Sequence, residues 1–131
     1  MENFKSLAIS KHFVGDSRIH IKKSFFGLCK KYYYAPTGSL ITAYRKEYTP
    51  SDGYKIEQAM NSDPSVRLKQ MATLGKMPTT ALGNYMLEMY QSADCQFAAV
   101  QLYQFKQLSY EPVTPVYTFE GEDASTVANA F

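Results

Sequence analysis

The chain has 131 residues, of which 45% are hydrophobic and 15% are aromatic. This length and composition predict one compact domain with its own core and exclude a largely disordered protein. No apolar run approaches the roughly 20 residues that cross a bilayer, and residues 1–9 lack the pattern of a signal peptide. We therefore expect a cytoplasmic protein with no membrane partner.

Charge is distributed unevenly along the chain. Residues 1–56 contain ten Lys or Arg and four Asp or Glu, whereas residues 57–131 contain four and eight. The cations of the basic half concentrate between Arg18 and Lys46, where they alternate with Phe and Tyr. Cations beside aromatic rings are typical of surfaces that contact phosphates and stack bases.

The first half of the chain has the alternation of β-strands. A short helical pattern containing Phe4, Leu7 and Ala8 comes first and ends at a turn near Gly15. Residues 17–34 are predicted to form strands, because Ile19 and Ile21 alternate with Arg18, His20 and Lys22. Residues 29–34 and 39–48 are expected to pair as a hairpin, because Ala35-Pro36-Thr37-Gly38 has the Pro and Gly positions of a type I turn.

The second half of the chain indicates helices. Composition predicts a loop over residues 49–53, and residues 54–60 are ambiguous. Asp63 and Pro64 predict a helix start, with the helix running to about Leu74. A second helix is expected from about residue 80 to 91, since apolar residues recur there at helical spacing: Leu82, Tyr85, Met86, Met89 and Tyr90. Residues 97–108 fit either a strand or a helix, and their length favours a helix.

These elements predict an α+β fold, in which N-terminal antiparallel β-hairpins pack against C-terminal helices in a single compact domain. The domain is expected to span residues 1–119, followed by a polar, mildly acidic tail over residues 120–131.

Two segments resemble known DNA-binding proteins. Residues 54–91, with a helix ending at Gly75 and a second apolar helix, loosely resemble helix-turn-helix and ribbon-helix-helix motifs. The final segment places Glu120, Glu122 and Asp123 ahead of Phe131. It resembles the tails of single-stranded-DNA-binding proteins, a resemblance that implies recruitment of partners through the terminal Phe.

The leading functional hypothesis is a small, non-catalytic nucleic-acid-binding protein. Lysine and arginine would contact phosphates and tyrosine would stack on bases of single-stranded nucleic acid. The predicted interface consists of Lys22, Lys23, Lys30, Lys31, Tyr32, Tyr34, Tyr44, Arg45 and Lys46.

A protein partner is the main alternative. The basic and acidic halves are complementary, so the chain would act as an adaptor, inhibitor or assembly subunit, and homo-oligomers are a natural outcome. Enzyme chemistry is the weakest reading. Neither His12 nor His20 has a Cys or His at metal-ligand spacing, and no glycine-rich phosphate loop is present. We expect no catalytic residues, no metal and no cofactor.

Overall fold

The computed structural model describes residues 7–24, 29–80 and 83–131. Within these ranges the chain forms four α-helices and seven β-strands. In chain order they are α1 (Leu7–His12), β1 (Ile19–Ser24), β2 (Cys29–Tyr34), β3 (Ser39–Tyr48), α2 (Pro50–Met60), α3 (Pro64–Ala72), β4 (Tyr85–Ser92), β5 (Phe97–Lys106), β6 (Ser109–Pro112), β7 (Tyr117–Glu120) and α4 (Glu122–Ala130), with a short 3-10 turn at Leu74–Lys76.

The strands form one antiparallel sheet in the order β1-β2-β3-β4-β5. Both β6 and β7 pair with the remaining edge of β5, β7 along residues 97–100 and β6 along residues 103–106. The predicted α+β class and its N-terminal antiparallel hairpins are therefore confirmed. The sheet extends well into the second half of the chain, because β4 to β7 lie after α2 and α3.

The predicted hairpin of β2 and β3 is confirmed, and its loop closes through N–H groups of Thr37 and Gly38 that donate to the Tyr34 carbonyl. Tyr34 lies opposite Ser39, and Gly38 takes a φ of 74° and donates its N–H to the Tyr34 carbonyl at 2.7 Å. A left-handed φ of this kind favours glycine. This turn fixes the register, so Tyr32 and Tyr34 must share one face of β2 and Tyr33 the other.

The two faces of the sheet carry separate cores. We call the side that contacts α1 the inner face; its buried cluster includes Phe13, Ile19, Tyr34, Tyr90 and Phe97. We call the opposite side the outer face. Over β4 and β5 it is covered by α2, α3 and α4, whose buried side chains pack against Leu87, Met89 and Leu102. None of the helices within the described ranges is long and apolar enough to span a membrane.

The helices predicted at residues 80–91 and 97–108 are wrong, because these segments are β4 and β5. Their side chains are buried on both faces. A strand covered on both sides needs apolar residues at consecutive positions, so the alternation that marks a half-exposed strand is lost. The resemblance to helix-turn-helix motifs fails for the same reason, since its second helix is a strand. Leu82 and Phe4 lie outside the described residues.

The loop predicted at residues 49–53 is also wrong. The Thr49 side chain caps α2 by accepting the Asp52 N–H, and Pro50 occupies the first helical turn, which is the preferred arrangement at a helix start. The same signal at Asp63 and Pro64 is confirmed as the start of α3. Gly53 lies inside α2, where a β-carbon would overlap the Tyr85 ring.

The segment predicted as a tail is an ordered helix. Residues 122–130 form α4, whose Ala124 and Val127 are fully buried in the core of the outer face. Small residues at these positions let the helix lie close to α3 and β7. The segment therefore contributes to the fold, unlike the exposed acidic tail that the resemblance implies.

Candidate nucleic-acid interface

Two pairs of lysines lie directly opposite one another on the first two strands. Lys22 faces Lys31 and Lys23 faces Lys30 across the β1–β2 ladder. All four are exposed, and no carboxylate of the described chain lies within ion-pair distance of them. Like charges directly opposite on a sheet destabilise it. Within the described chain, no carboxylate therefore balances this concentration of positive charge.

The paired lysines lie on both faces of the hairpin. Ile21 and Tyr32 are partners on the inner face, so alternation places Lys23 and Lys30 on the inner side and Lys22 and Lys31 on the outer side. The four predicted lysines are therefore close in space at one end of the β1–β2 hairpin, with two lysines on each face of the sheet.

The helices leave the outer face of β1, β2 and the first part of β3 uncovered, whereas Tyr48 at the end of β3 is buried beneath them. We call the uncovered part the open surface; it comprises His20, Lys22, Lys31, Tyr33, Leu40, Thr42 and Tyr44, which are exposed or half-buried. Leu40 and Tyr44 expose 39% and 44% of their surface. No Asp or Glu of β1, β2 or β3 points to this side, since Glu47 alternates onto the inner face.

Tyr32 and Tyr34 do not lie on the open surface. Tyr32 packs edge-on against Phe13 and Tyr90, with ring centroids 5.4 and 6.3 Å apart. Tyr34 stacks on Phe97 at 5.2 Å and is only 7% exposed. The alternation set by Ile19 and Ile21 points both rings towards the inner core, and base stacking by them stays a prediction.

The Tyr34 hydroxyl belongs to a clasp across the inner face, formed with Arg18 and Glu120. Tyr34 Oη donates to Glu120 Oε2 at 2.6 Å, and Arg18 Nη1 donates to Glu120 Oε1 at 3.2 Å. The hydrogen bond to the Glu120 carboxylate and burial raise the pKa of Tyr34 to about 12. Arg18 also binds Asp16 at 2.8 Å, and its hydrogen bonds hold the pKa of that carboxyl below its usual range.

Arg45 forms an ion pair with a buried carboxylate. Its Nε lies 3.1 Å from Glu88 Oε2, and Glu88 is fully buried. The Tyr103 hydroxyl oxygen lies 3.3 Å from the other Glu88 oxygen and 2.9 Å from Gln101 Oε1, so its single proton is shared between these two acceptors. Burial and the Glu88 charge raise the pKa of Tyr103. Removing one partner of a buried charge pair is costly, so the Arg45–Glu88 contact supports the core, and the phosphate contact of Arg45 stays a prediction.

Tyr44 and Lys46 lie at the end of the open surface that Phe131 covers. The Tyr44 and Phe131 rings meet edge-on at 6.3 Å, and Lys46 Nζ lies 4.8 Å from the Phe131 ring centroid. Lys46 Nζ also donates to the Phe131 backbone oxygen. Of the predicted interface, Lys22 and Lys31 share the open surface with Tyr44, while Lys46 is at its margin.

The predicted interface omits Tyr33 and His20, which the structure places on the open surface, Tyr33 on its middle strand and His20 on the edge strand. His20 faces Tyr33 across β1 and β2, and Tyr33 faces Leu40 across β2 and β3. Lys22 Nζ lies 5.2 Å from the Tyr33 ring centroid. The sequence contains the information needed to place Tyr33. The turn at residues 35–38 fixes which residues of β2 share a face, and Ile19 and Ile21 of β1 mark the buried face.

The two halves of the chain neutralise part of their charge against each other. The Arg18–Glu120 and Arg45–Glu88 pairs each join the basic half to the acidic half. The lysines at residues 22, 23, 30 and 31 take part in neither of these ion pairs. In the part of the chain that the structure describes, no cluster of three or more His, Cys, Asp or Glu is arranged to hold a metal ion.

Comparison with protein-family models, with curated protein sequences and with solved structures found no match for this chain.

Proposed function

We propose that this protein binds single-stranded nucleic acid, with the paired lysines of β1 and β2 contacting phosphates and the open surface receiving bases. The observation that carries the proposal is the direct opposition of Lys22 with Lys31 and of Lys23 with Lys30. A phosphate backbone offsets the repulsion within each pair and releases counterions when it binds. The proposal assigns a binding role without a catalytic step.

The shape and chemistry of the open surface favour an unpaired strand. Tyr33, Leu40 and Tyr44 offer π and apolar contact area on a sheet face that no helix covers. Bases are free to stack on such a surface only when they are not enclosed in a duplex. Single-stranded nucleic acid is abundant inside cells, and we therefore propose a cytoplasmic location for the protein.

The test is a fluorescence-anisotropy titration with a labelled 12-nucleotide strand. If the four lysines each neutralise one phosphate, log K should fall with log salt at a slope of about −3, using roughly −0.7 per contact for single strands. The double variant Lys22→Gln with Lys31→Gln should bind more weakly and lower the slope by about 1.4.

The matched control is Lys55→Gln with Lys69→Gln, which removes the same charge from exposed positions on α2 and α3. It should leave the affinity nearly unchanged. Absence of binding by the unmodified protein at about 50 mM salt would overturn the proposal, as would equal losses in both double variants, which would indicate a net-charge effect.

A protein partner remains the second candidate, and one observation favours it. Gln107 and Leu108 join β5 to β6 with φ values of 47° and 75°, and Leu108 is 91% exposed. Phe105 and Tyr110 lie beside this turn with ring centroids 5.2 Å apart. A non-glycine residue with positive φ and an exposed apolar side chain is unusual. Loss of partner binding in Leu108→Ser, with oligonucleotide binding absent, would favour this function.

A further inference from the structure

The open surface contains a pocket at the turn between β2 and β3. It has a volume of about 400 Å³ and is lined by His20, Lys22, Tyr33, Ala35 and Gly38. That volume falls within the range of roughly 300–1,000 Å³ typical of small-molecule sites. Ala35 and Gly38 bring little side-chain bulk, and a β-carbon at Gly38 would meet no atom within 4 Å. The turn therefore leaves space beside the Tyr33 ring.

The pocket residues His20, Tyr33 and Lys22 belong to two rows of side chains that run across the strands and continue beyond the pocket to Leu40 and Lys31. His20, Tyr33 and Leu40 are successive cross-strand partners and form a row of aromatic and apolar groups. Lys22 and Lys31 form the neighbouring row, two residues further along each strand. Two residues of strand span about 6.6–6.8 Å, so a planar ring over the first row has its attached phosphate within reach of the second.

From these rows we infer that the pocket is a subsite for one nucleotide, in which the base lies against Tyr33 beside His20 and the phosphate binds Lys22 and Lys31. The inference rests on the proposed function and deepens it, since it assigns base contact to one tyrosine and phosphate contact to one lysine pair. Lys22 Nζ lies over the Tyr33 ring, 5.2 Å from its centroid, so a base that takes this place on the ring would release the ammonium to bind the phosphate.

The experiment compares two 12-nucleotide ligands, oligo(dT) and an abasic strand of equal length, on the unmodified protein and on Tyr33→Ala. Loss of one base stack should weaken oligo(dT) binding about 5- to 100-fold. Binding of the abasic strand should stay within about twofold, because the lysines are intact. Tyr33→Phe keeps the ring and should restore oligo(dT) binding. Tyr54→Ala, an exposed tyrosine on α2, is the matched control and should change neither affinity.

Substitutions in the lysine row should not distinguish oligo(dT) from the abasic strand. Lys22→Gln should weaken both strands by the same factor, since it removes a phosphate contact. If Tyr33→Ala lowers both affinities equally, or neither, the subsite is wrong while the proposed function stands. If the unmodified protein binds neither strand, the proposed function itself fails.

A second measurement does not depend on the Tyr33→Ala variant folding. Photocrosslinking of the unmodified protein to a strand carrying 5-iodouracil should attach the base to the peptide that contains Tyr33, as read by mass spectrometry. Crosslinks confined to peptides outside β1, β2 and β3 would overturn the inference.

Discussion

The Tyr48 hydroxyl is a buried polar group that lacks a hydrogen-bond partner among the described residues. Tyr48 is fully buried in the core of the outer face, and burial raises its pKa to about 12. A buried hydroxyl without a partner costs about 1–3 kcal/mol of desolvation. We therefore expect Tyr48→Phe to raise the free energy of unfolding by about 1 kcal/mol, measured by urea denaturation.

Tyr85 provides the control, because it is the cross-strand partner of Tyr48 and its hydroxyl donates to Glu57 Oε1 at 3.2 Å. Tyr85→Phe should therefore lower the stability by about 1 kcal/mol. A Tyr48→Phe variant that is destabilised to the same extent would mean that the Tyr48 hydroxyl does have a partner in solution.

At the level of single residues, the sequence predicted the exposure of charged side chains better than the face of the sheet on which each side chain lies. The lysines at residues 22, 23, 30 and 31 are exposed as a basic, polar strand pattern predicts. The three consecutive tyrosines could not be assigned from composition, because their roles depend on strand parity. Glu88 is an isolated carboxylate in the sequence, and its buried contact with Arg45 forms only when β3 and β4 pair.

At the level of elements, α4 should contribute measurably to stability. Val127 is fully buried, and truncation to Ala removes two carbon groups that each contribute about 0.8 kcal/mol when buried. With the cavity that remains, we expect Val127→Ala to lower the free energy of unfolding by about 2 kcal/mol, read from the urea midpoint.

Asn129→Ala is the matched control for this helix, since Asn129 is exposed on the same element. It should change the stability by less than about 0.5 kcal/mol. If both variants leave the urea midpoint in place, α4 does not stay packed on the sheet in solution.

Turn residues and helix caps predicted those strands and helices that begin or end at such residues. The turn at residues 35–38 and the cap at Asp63 were sufficient for β2, β3 and the start of α3. They were insufficient for β4 and β5, where helical spacing of Tyr85, Met86 and Met89 coincides with burial on both faces. Gly53 shows most clearly how a tertiary contact determines a residue. Glycine in the sequence suggests a loop, but Gly53 lies in a helix, where the close approach of the Tyr85 ring leaves no room for a β-carbon.

At the level of the whole molecule, the curled sheet is closed by the clasp of Arg18, Tyr34 and Glu120. These residues join the start of β1 and the end of β2 to the end of β7. The clasp also brings the basic and acidic halves together within one chain. Complementary charge between the halves thus contributes to the fold, and it is less available for self-association between copies.

The clasp predicts a loss of stability at alkaline pH. The hydrogen bond to Glu120 raises the pKa of Tyr34 to about 12 in the fold, against roughly 10 for an unfolded tyrosine. The fold therefore favours the protonated phenol. This contribution is fully present below about pH 10 and is lost as the pH rises from about 10 to 12.

Urea denaturation at pH 8 and at pH 11.5 tests this expectation on the unmodified protein, Tyr34→Phe and the control Tyr33→Phe. Tyr34→Phe should be less stable by about 1 kcal/mol at pH 8, because the Glu120 contact is lost. It should lose less stability than the unmodified protein on going to pH 11.5, since Phe has no proton to release. Tyr33→Phe should follow the unmodified protein at both values, because Tyr33 lies on the open surface and takes no part in the clasp. Parallel losses in all three proteins would assign the alkaline transition to groups outside the clasp, such as the buried Tyr48 and Tyr103, whose pKa values are also raised.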